Sequence, residues 1–256
     1  MKRFRLKFVL VSAAAVILAV FCCGCGASLH YDMPSGKTLV YDASSMIGVA
    51  ENGKEVESKA SKKEMEVRVR IIDCVGGECM LHISAVPPRG TQDPIFGKLY
   101  GVLEMHLDNK GGEKDIAGLG IPLEVRLLLP VLPDFRVRNH RTWTEPFKRE
   151  LLQKNTALIF THEYLGKTLV AGRPCFHITG AAPFKFSQKI HNQAQDFTAN
   201  IDYQYSEDFY LSTDGYPLKM SVVESRRRVI SDNYNNEILF DKKDYLNTEI
   251  TFLRIE

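Results

Sequence analysis

From Lys37 to its end, most of this chain alternates apolar and polar residues with a period of two. That is the period of a β-strand buried on one face and wet on the other, and it excludes a mainly helical fold. Met65, Val67, Val69 and Ile71 share one face against Glu66, Arg68 and Arg70, and Cys79, Leu81, Ile83 and Ala85 share the next. Leu99, Gly101, Leu103, Met105 and Leu107 repeat the pattern, as do Phe197, Ala199, Ile201, Tyr203 and Tyr205 against Thr198, Asn200, Asp202, Gln204 and Ser206. Turn chemistry separates the runs at Asn52-Gly53, Gly76-Gly77, Asp214-Gly215 and Asn235-Asn236, and Pro87-Pro88 stops one of them. No βαβ alternation is present. The expected fold is all-β, an antiparallel meander forming a curved sheet or partly open barrel. One short helix is expected near Pro146 to Lys154, where Thr144 can cap and Phe147, Leu151 and Leu152 share a face. Lys185 to Gln195 reads as a polar loop.

The first 26 residues obey a different rule. Lys2, Arg3, Arg5 and Lys7 precede an uncharged run from Phe8 to Cys23, which is short for a membrane span and suits a secretory leader. Phe21-Cys22-Cys23-Gly24-Cys25-Gly26 then stands where a small-residue cleavage zone belongs. This resembles the lipobox of bacterial lipoproteins, whose cysteine receives a diacylglyceryl group and becomes the new N-terminus. Cys25, between Gly24 and Gly26, matches it best. Cys22 stands where that family prefers Leu, which keeps Cys23, with Val20 upstream, as a second choice. The resemblance implies a signal peptide over residues 1–24, a lipidated tether over 25–36 and a single β-rich domain over 37–256. It also implies a protein held on a membrane of the cell envelope, since several acyl chains on one residue anchor stably. Gly26 rather than Asp after the cysteine implies the outer membrane, facing the periplasm.

Removing the leader takes Lys plus Arg from 33 to 29 against 31 acidic residues, so the mature chain is near neutral. That argues against a nucleic-acid partner, and Arg226-Arg227-Arg228 reads as a solvated strand or turn. Nothing in the sequence calls for a metal or cofactor. GKTLV occurs at Gly36 to Val40 and again at Gly166 to Val170, but the halves they open do not otherwise match, and neither copy has the first glycine of a P-loop.

Cys74 and Cys79 flank a hairpin turn, and the oxidising location implied by the leader permits a disulfide between them. Setting them opposite each other pairs Ile72 with Leu81 and mixes the wet and dry faces. The register that the apolar pattern prefers, Ile71 with Ile83 and Val69 with Ala85, sends the two sulfurs to opposite faces. Cys175 and His177 project from one strand face with His162 on a nearby strand, a combination open to nucleophilic or metal chemistry but without an evident acidic partner. His162-Glu163 lacks the second histidine of a zinc-protease helix. Trp143 reads as a core anchor. Phe197, Tyr203 and Tyr205 line either an apolar groove or the inside of a sheet, two cases with the same alternation.

The overall pattern, with Pro130, Leu132, Pro133 and Trp143, is similar to the open half-barrel of the LolA/LolB lipoprotein carriers and to β-rich bacterial lipoproteins with a Pro-x-Leu-Pro segment before a Trp. The resemblance implies a non-enzymatic envelope lipoprotein holding an apolar or lipidic ligand. A scaffold or assembly factor that binds another envelope protein is the alternative, and a hydrolase using Cys175 comes last.

Overall fold

The computed structural model of the chain describes residues 26–57, 60–86, 102–117, 129–147, 158–192, 195–235 and 237–256. The leader, Cys23 and Cys25 lie outside them. Thirteen strands are described: β1 (Thr38–Glu51), β2 (Lys54–Glu55), β3 (Ser61–Val75), β4 (Glu78–Val86), β5 (Val102–Asp108), β6 (Glu113–Ala117), β7 (Arg141–Phe147), β8 (Leu158–Val170), β9 (Arg173–Ala181), β10 (Phe184–Asn192), β11 (Gln195–Ser212), β12 (Pro217–Asp232) and β13 (Ile238–Ile255). They form one antiparallel sheet in the order β6-β5-β4-β3-β1-β13-β12-β11-β9-β8-β7, with β10 added to β11 and β2 to β1. Two meanders therefore meet through β1 and β13, from Leu39 opposite Ile255 to Glu51 opposite Lys242. The sheet is not closed into a barrel. Its inner face carries the core, which includes Tyr41, Val67, Ile71, Leu81, Met105, Met220 and Phe209.

Three expectations are corrected. The helix does not begin at Thr144, because Thr144 to Phe147 belong to β7 and pair with Leu158 to Thr161 of β8. Pro146 is instead accommodated in the outermost strand of the path, where proline is tolerated. The remainder, Lys148 to Lys154, lies outside the described residues. Lys185 to Gln195 is mostly strand rather than loop, since β10 runs along β11 from Phe184 opposite Tyr203 to Asn192 opposite Gln195. Phe184, Phe186 and Ile190 supply its apolar face, while the lysines between them stay in water.

The third correction concerns Gly26 to Gly36. These residues are not a free tether but a strap across the inner face, with Leu29, Tyr31 and Met33 all buried in the core. Ala27 and Val137 exchange backbone hydrogen bonds of 2.7 and 2.8 Å, Tyr31 N–H donates to Asn109 O and Asp32 N–H to Gly215 O. Glycine makes this approach possible. A Cβ at Gly215 would stand 2.4 Å from Asp32 N, and one at Gly111 would stand 2.6 Å from the Tyr31 ring. The loop 129–140 lies beside the strap, with Leu132 and Val137 buried, Tyr31 Oη donating to Pro130 O and Trp143 Nε1 to Val131 O. Strap and loop thus cover part of the inner face with irregular chain rather than with a second sheet.

Candidate functional site

Cys74 and Cys79 are disulfide-bonded. A register shift between Ile71 and Asp73 removes the conflict between the two arrangements: Cys74 stands opposite Cys79, while Ile71 pairs with Leu81 and Val69 with Ile83. One extra residue in β3 changes the phase of the strand, so the sulfurs meet without turning the apolar face outward. The apolar register expected from the sequence was therefore off by two residues.

The aromatic strand is packed rather than open. Tyr203 and Tyr205 lie in the core and Phe197 is half-buried. The same face of β11 continues through Glu207, a carboxylate in an apolar phase between Tyr205 and Phe209. Its neighbours follow from the ladder. Trp143 of β7 is opposite His162 of β8, His162 is opposite Gly180 of β9, and Gly180 is opposite Glu207. Four strands thus carry Trp143, His162, Gly180 and Glu207 in one row.

Gly180 is what lets the row close up. A Cβ there would stand 2.6 Å from Phe160 Cζ and 2.9 Å from Glu207 Cγ. Because that space is clear, His162 Nδ1 and Glu207 Oε1 face each other at 3.6 Å across β9. On its other side His162 Nε2 is 2.9 Å from Glu145 Oε1. The imidazole is stacked on Trp143 at 5.1 Å and met edge-on by Phe160 at 4.3 Å. Tyr205 Oη donates to Glu207 Oε2. Among the described residues neither His162 Nδ1 nor Glu207 Oε1 has a hydrogen-bond partner, and both are buried. Desolvation pushes the Glu207 carboxyl up to about 8; the negative charges of Glu145 and Asp208 push the same way, and the Tyr205 hydrogen bond pulls against them. A carboxylate stripped of water with no cation in full contact holds its proton more tightly.

Of the three residues set apart earlier as reactive candidates, His162 belongs to this cluster and the other two do not. His177 Nε2 is 2.8 Å from Asp208 Oδ1 and its ring stacks on Tyr210. Cys175 is fully buried, its thiol donating to Thr168 O, and burial pushes that thiol up, away from the thiolate a nucleophile needs. The acidic partners that the sequence did not reveal are Glu145 on β7 and Glu207 and Asp208 on β11, none of them on the strand of the histidine it meets. Among the described residues no group of three or more His, Cys, Asp or Glu side chains is arranged to hold a metal ion.

One small pocket is lined by Met33, Leu39, Tyr41, Val69, Ile83, Leu129 and Pro217 and has a volume of about 10 Å³. Arg226, Arg227 and Arg228 lie on β12, where Arg227 makes two hydrogen bonds to the Asp241 carboxylate and Arg226 bonds Asp244. They sit in a strand with acidic partners, in keeping with a solvated face.

No protein-family model matches the chain, and no curated protein matches it. Among solved structures it is similar to lipovitellin, in a study of lipid–protein interactions in that protein, with 11% identity and a TM-score of 0.50 over 88% of this chain and 26% of the other. The chain therefore spans about a quarter of that structure's length. It is also aligned with Ail, the attachment invasion locus protein of Yersinia pestis, in complex with the heparin analogue sucrose octasulfate, with 7% identity over 86% of this chain and 99% of that one. The TM-score of that second alignment is 0.18, too low for a shared fold. The likeness to lipovitellin is one of fold: a broad antiparallel β-sheet.

Proposed function

We propose that the protein is a non-enzymatic lipoprotein of a bacterial cell envelope, anchored through an acylated Cys25, and that its sheet receives an apolar or lipidic ligand on the inner face. The observation that carries this reading is the cover of that face. Apolar strands are capped in part by the strap and the loop 129–140, which cross them without joining the sheet's strand ladders. A second packed sheet would have to separate as a unit, whereas a strap held at a few points can move alone. The pocket of about 10 Å³ beside Met33, Leu39 and Tyr41 is far too small for an acyl chain, and in this reading a ligand enters there as the strap moves. Lipovitellin, whose structure is described in terms of lipid–protein interactions, shares the fold over most of this chain. The outer membrane, on its periplasmic side, is the proposed location because Gly26 follows Cys25.

One observation favours a second reading, a scaffold for another envelope protein. Tyr203 and Tyr205 fill the interior, while Ile190, Ile238 and Leu239 are exposed near the end of the sheet where β11 begins and β12 ends. Purification from the native membrane, with mass spectrometry of co-purifying lipids and proteins, separates the two. A stoichiometric lipid supports the first reading, a stoichiometric protein without lipid supports the second, and neither removes both. Cys25→Ser should abolish acylation and release the protein from the membrane. If the variant is still acylated, Cys23 is the modified residue.

A further inference from the structure

We propose that Glu145, His162 and Glu207 form a proton-operated latch: a proton held on one carboxyl of this buried cluster keeps the strap docked on the inner face, and its loss loosens the strap and admits ligand. The ligand part rests on the function proposed above; the latch itself does not.

Charge counting comes first. The cluster contains two carboxyl groups and one imidazole, so even with His162 protonated, ionising both carboxyls leaves one uncompensated negative charge among Trp143, Phe160 and Tyr205. A buried uncompensated charge is strongly disfavoured. One carboxyl therefore carries a proton in the docked state. Glu207 is the better holder. Its side chain is 3% exposed against 16% for Glu145, and its Oε1 faces a His162 Nδ1 that has no other partner among the described residues.

The groups facing Glu207 come from every element packed around it. They are Glu145 on β7, His162 on β8, and Tyr205 and Asp208 on its own strand, while β9 places Gly180 opposite it and β12 places Val222 opposite it and Glu224 opposite Tyr205. The strap contributes Tyr31. That phenol is fully buried, and after desolvation the negative charges of Glu207 and Glu145 are what push it highest, which places the strap in the field of the cluster. Tyr31 also packs edge-on against Phe209, two residues along β11 from Glu207. When Glu207 ionises, water must reach it, and the strap sits on Phe209, the next inner-face residue of the same strand.

The test is amide hydrogen exchange on the full, unliganded protein, read at the strap amides of Tyr31 and Asp32, which donate to Asn109 O and Gly215 O. After correction for intrinsic exchange, their protection should fall at least tenfold between pH 5 and pH 8 and should stay flat in Glu207→Gln. Glu145→Gln provides a second variant if Glu207→Gln fails to fold. Removing that neighbouring negative charge should move the fall to lower pH. A change under threefold in the native protein, the same fall in Glu207→Gln, or an unmoved fall in Glu145→Gln would overturn the latch. A fluorescent sixteen-carbon fatty acid then tests the gating. Binding that strengthens from pH 5 to pH 8 supports it, and binding that ignores pH overturns it. If the probe does not bind at all while strap exchange behaves as described, the latch stands and the lipid-binding function fails.

Discussion

Replacing Leu29 by alanine asks whether the strap is part of the fold or only a connection to the proposed anchor. Leu29 is fully buried in the core cluster with Tyr31 and Met33. The substitution removes three carbons, about 2.4 kcal/mol of transfer free energy at about 0.8 kcal/mol per buried carbon. The hole left behind adds to this, because the flanking strands are held by their ladders and cannot collapse into it, so the loss should be about 3–4 kcal/mol. For a domain of this size that corresponds to a fall in Tm of roughly 6–16 °C. His30→Ala, an exposed neighbour on the same strap, is the control and should change stability by less than about 0.5 kcal/mol. Thermal unfolding by circular dichroism and urea titration both read the difference. A loss below about 1 kcal/mol for Leu29→Ala, or one equal to that of His30→Ala, would refute the claim that the strap is a core element.

Three further outcomes follow from the structure. The Glu207 carboxyl is raised from 4.5 to about 8, so its contribution to stability is complete below pH 4.5 and is lost as pH rises toward 8. Urea unfolding should show a decline on the order of 3 kcal/mol between pH 5 and pH 8, largely absent in Glu207→Gln; equal slopes in the two proteins would contradict it. Gly180→Ala puts a methyl 2.6 Å from Phe160 and 2.9 Å from Glu207, and the overpacking should cost about 1–3 kcal/mol; an unchanged Tm would mean that the row is looser than it looks. Removing the Cys74–Cys79 bond, which spans five positions, with a double serine variant should cost about 2 kcal/mol. Two reactive thiols at these positions in the native, non-reduced protein would show that the bond does not form.

Much of the fold is legible in the sequence. The two-residue period names the inner residues of β3, β4 and β11 correctly, and Asn52-Gly53, Gly76-Gly77 and Asp214-Gly215 mark real turns. The strap was legible as well. Leu29, Tyr31 and Met33 alternate with His30 and Asp32, but the stretch is short and follows the leader, so it reads as a linker. β10 was missed because its outward residues are lysine, serine and histidine and Gln188 interrupts its other face, which masks an alternation of Phe184, Phe186 and Ile190. Glu207 carried a signal of its own, a charge in the apolar phase of a strand. Alone it could not say what it met.

Sequence by itself determined the secondary-structure type, the inner face of most strands and the candidate anchor at Cys25, because each depends on residues near one another in the chain. Only the tertiary structure decided which strand lies beside which, and three consequences follow from that. The pairing of β1 with β13 joins the two meanders, and nothing within either meander requires it. A single extra residue in β3 sets the register at the disulfide, because a shift of one residue exchanges the two faces of a strand. The meeting of Glu145, His162 and Glu207 needs four adjacent strands in phase and a glycine at position 180 to leave room. Periodicity specifies a direction for each side chain, and only the packed sheet supplies its partner.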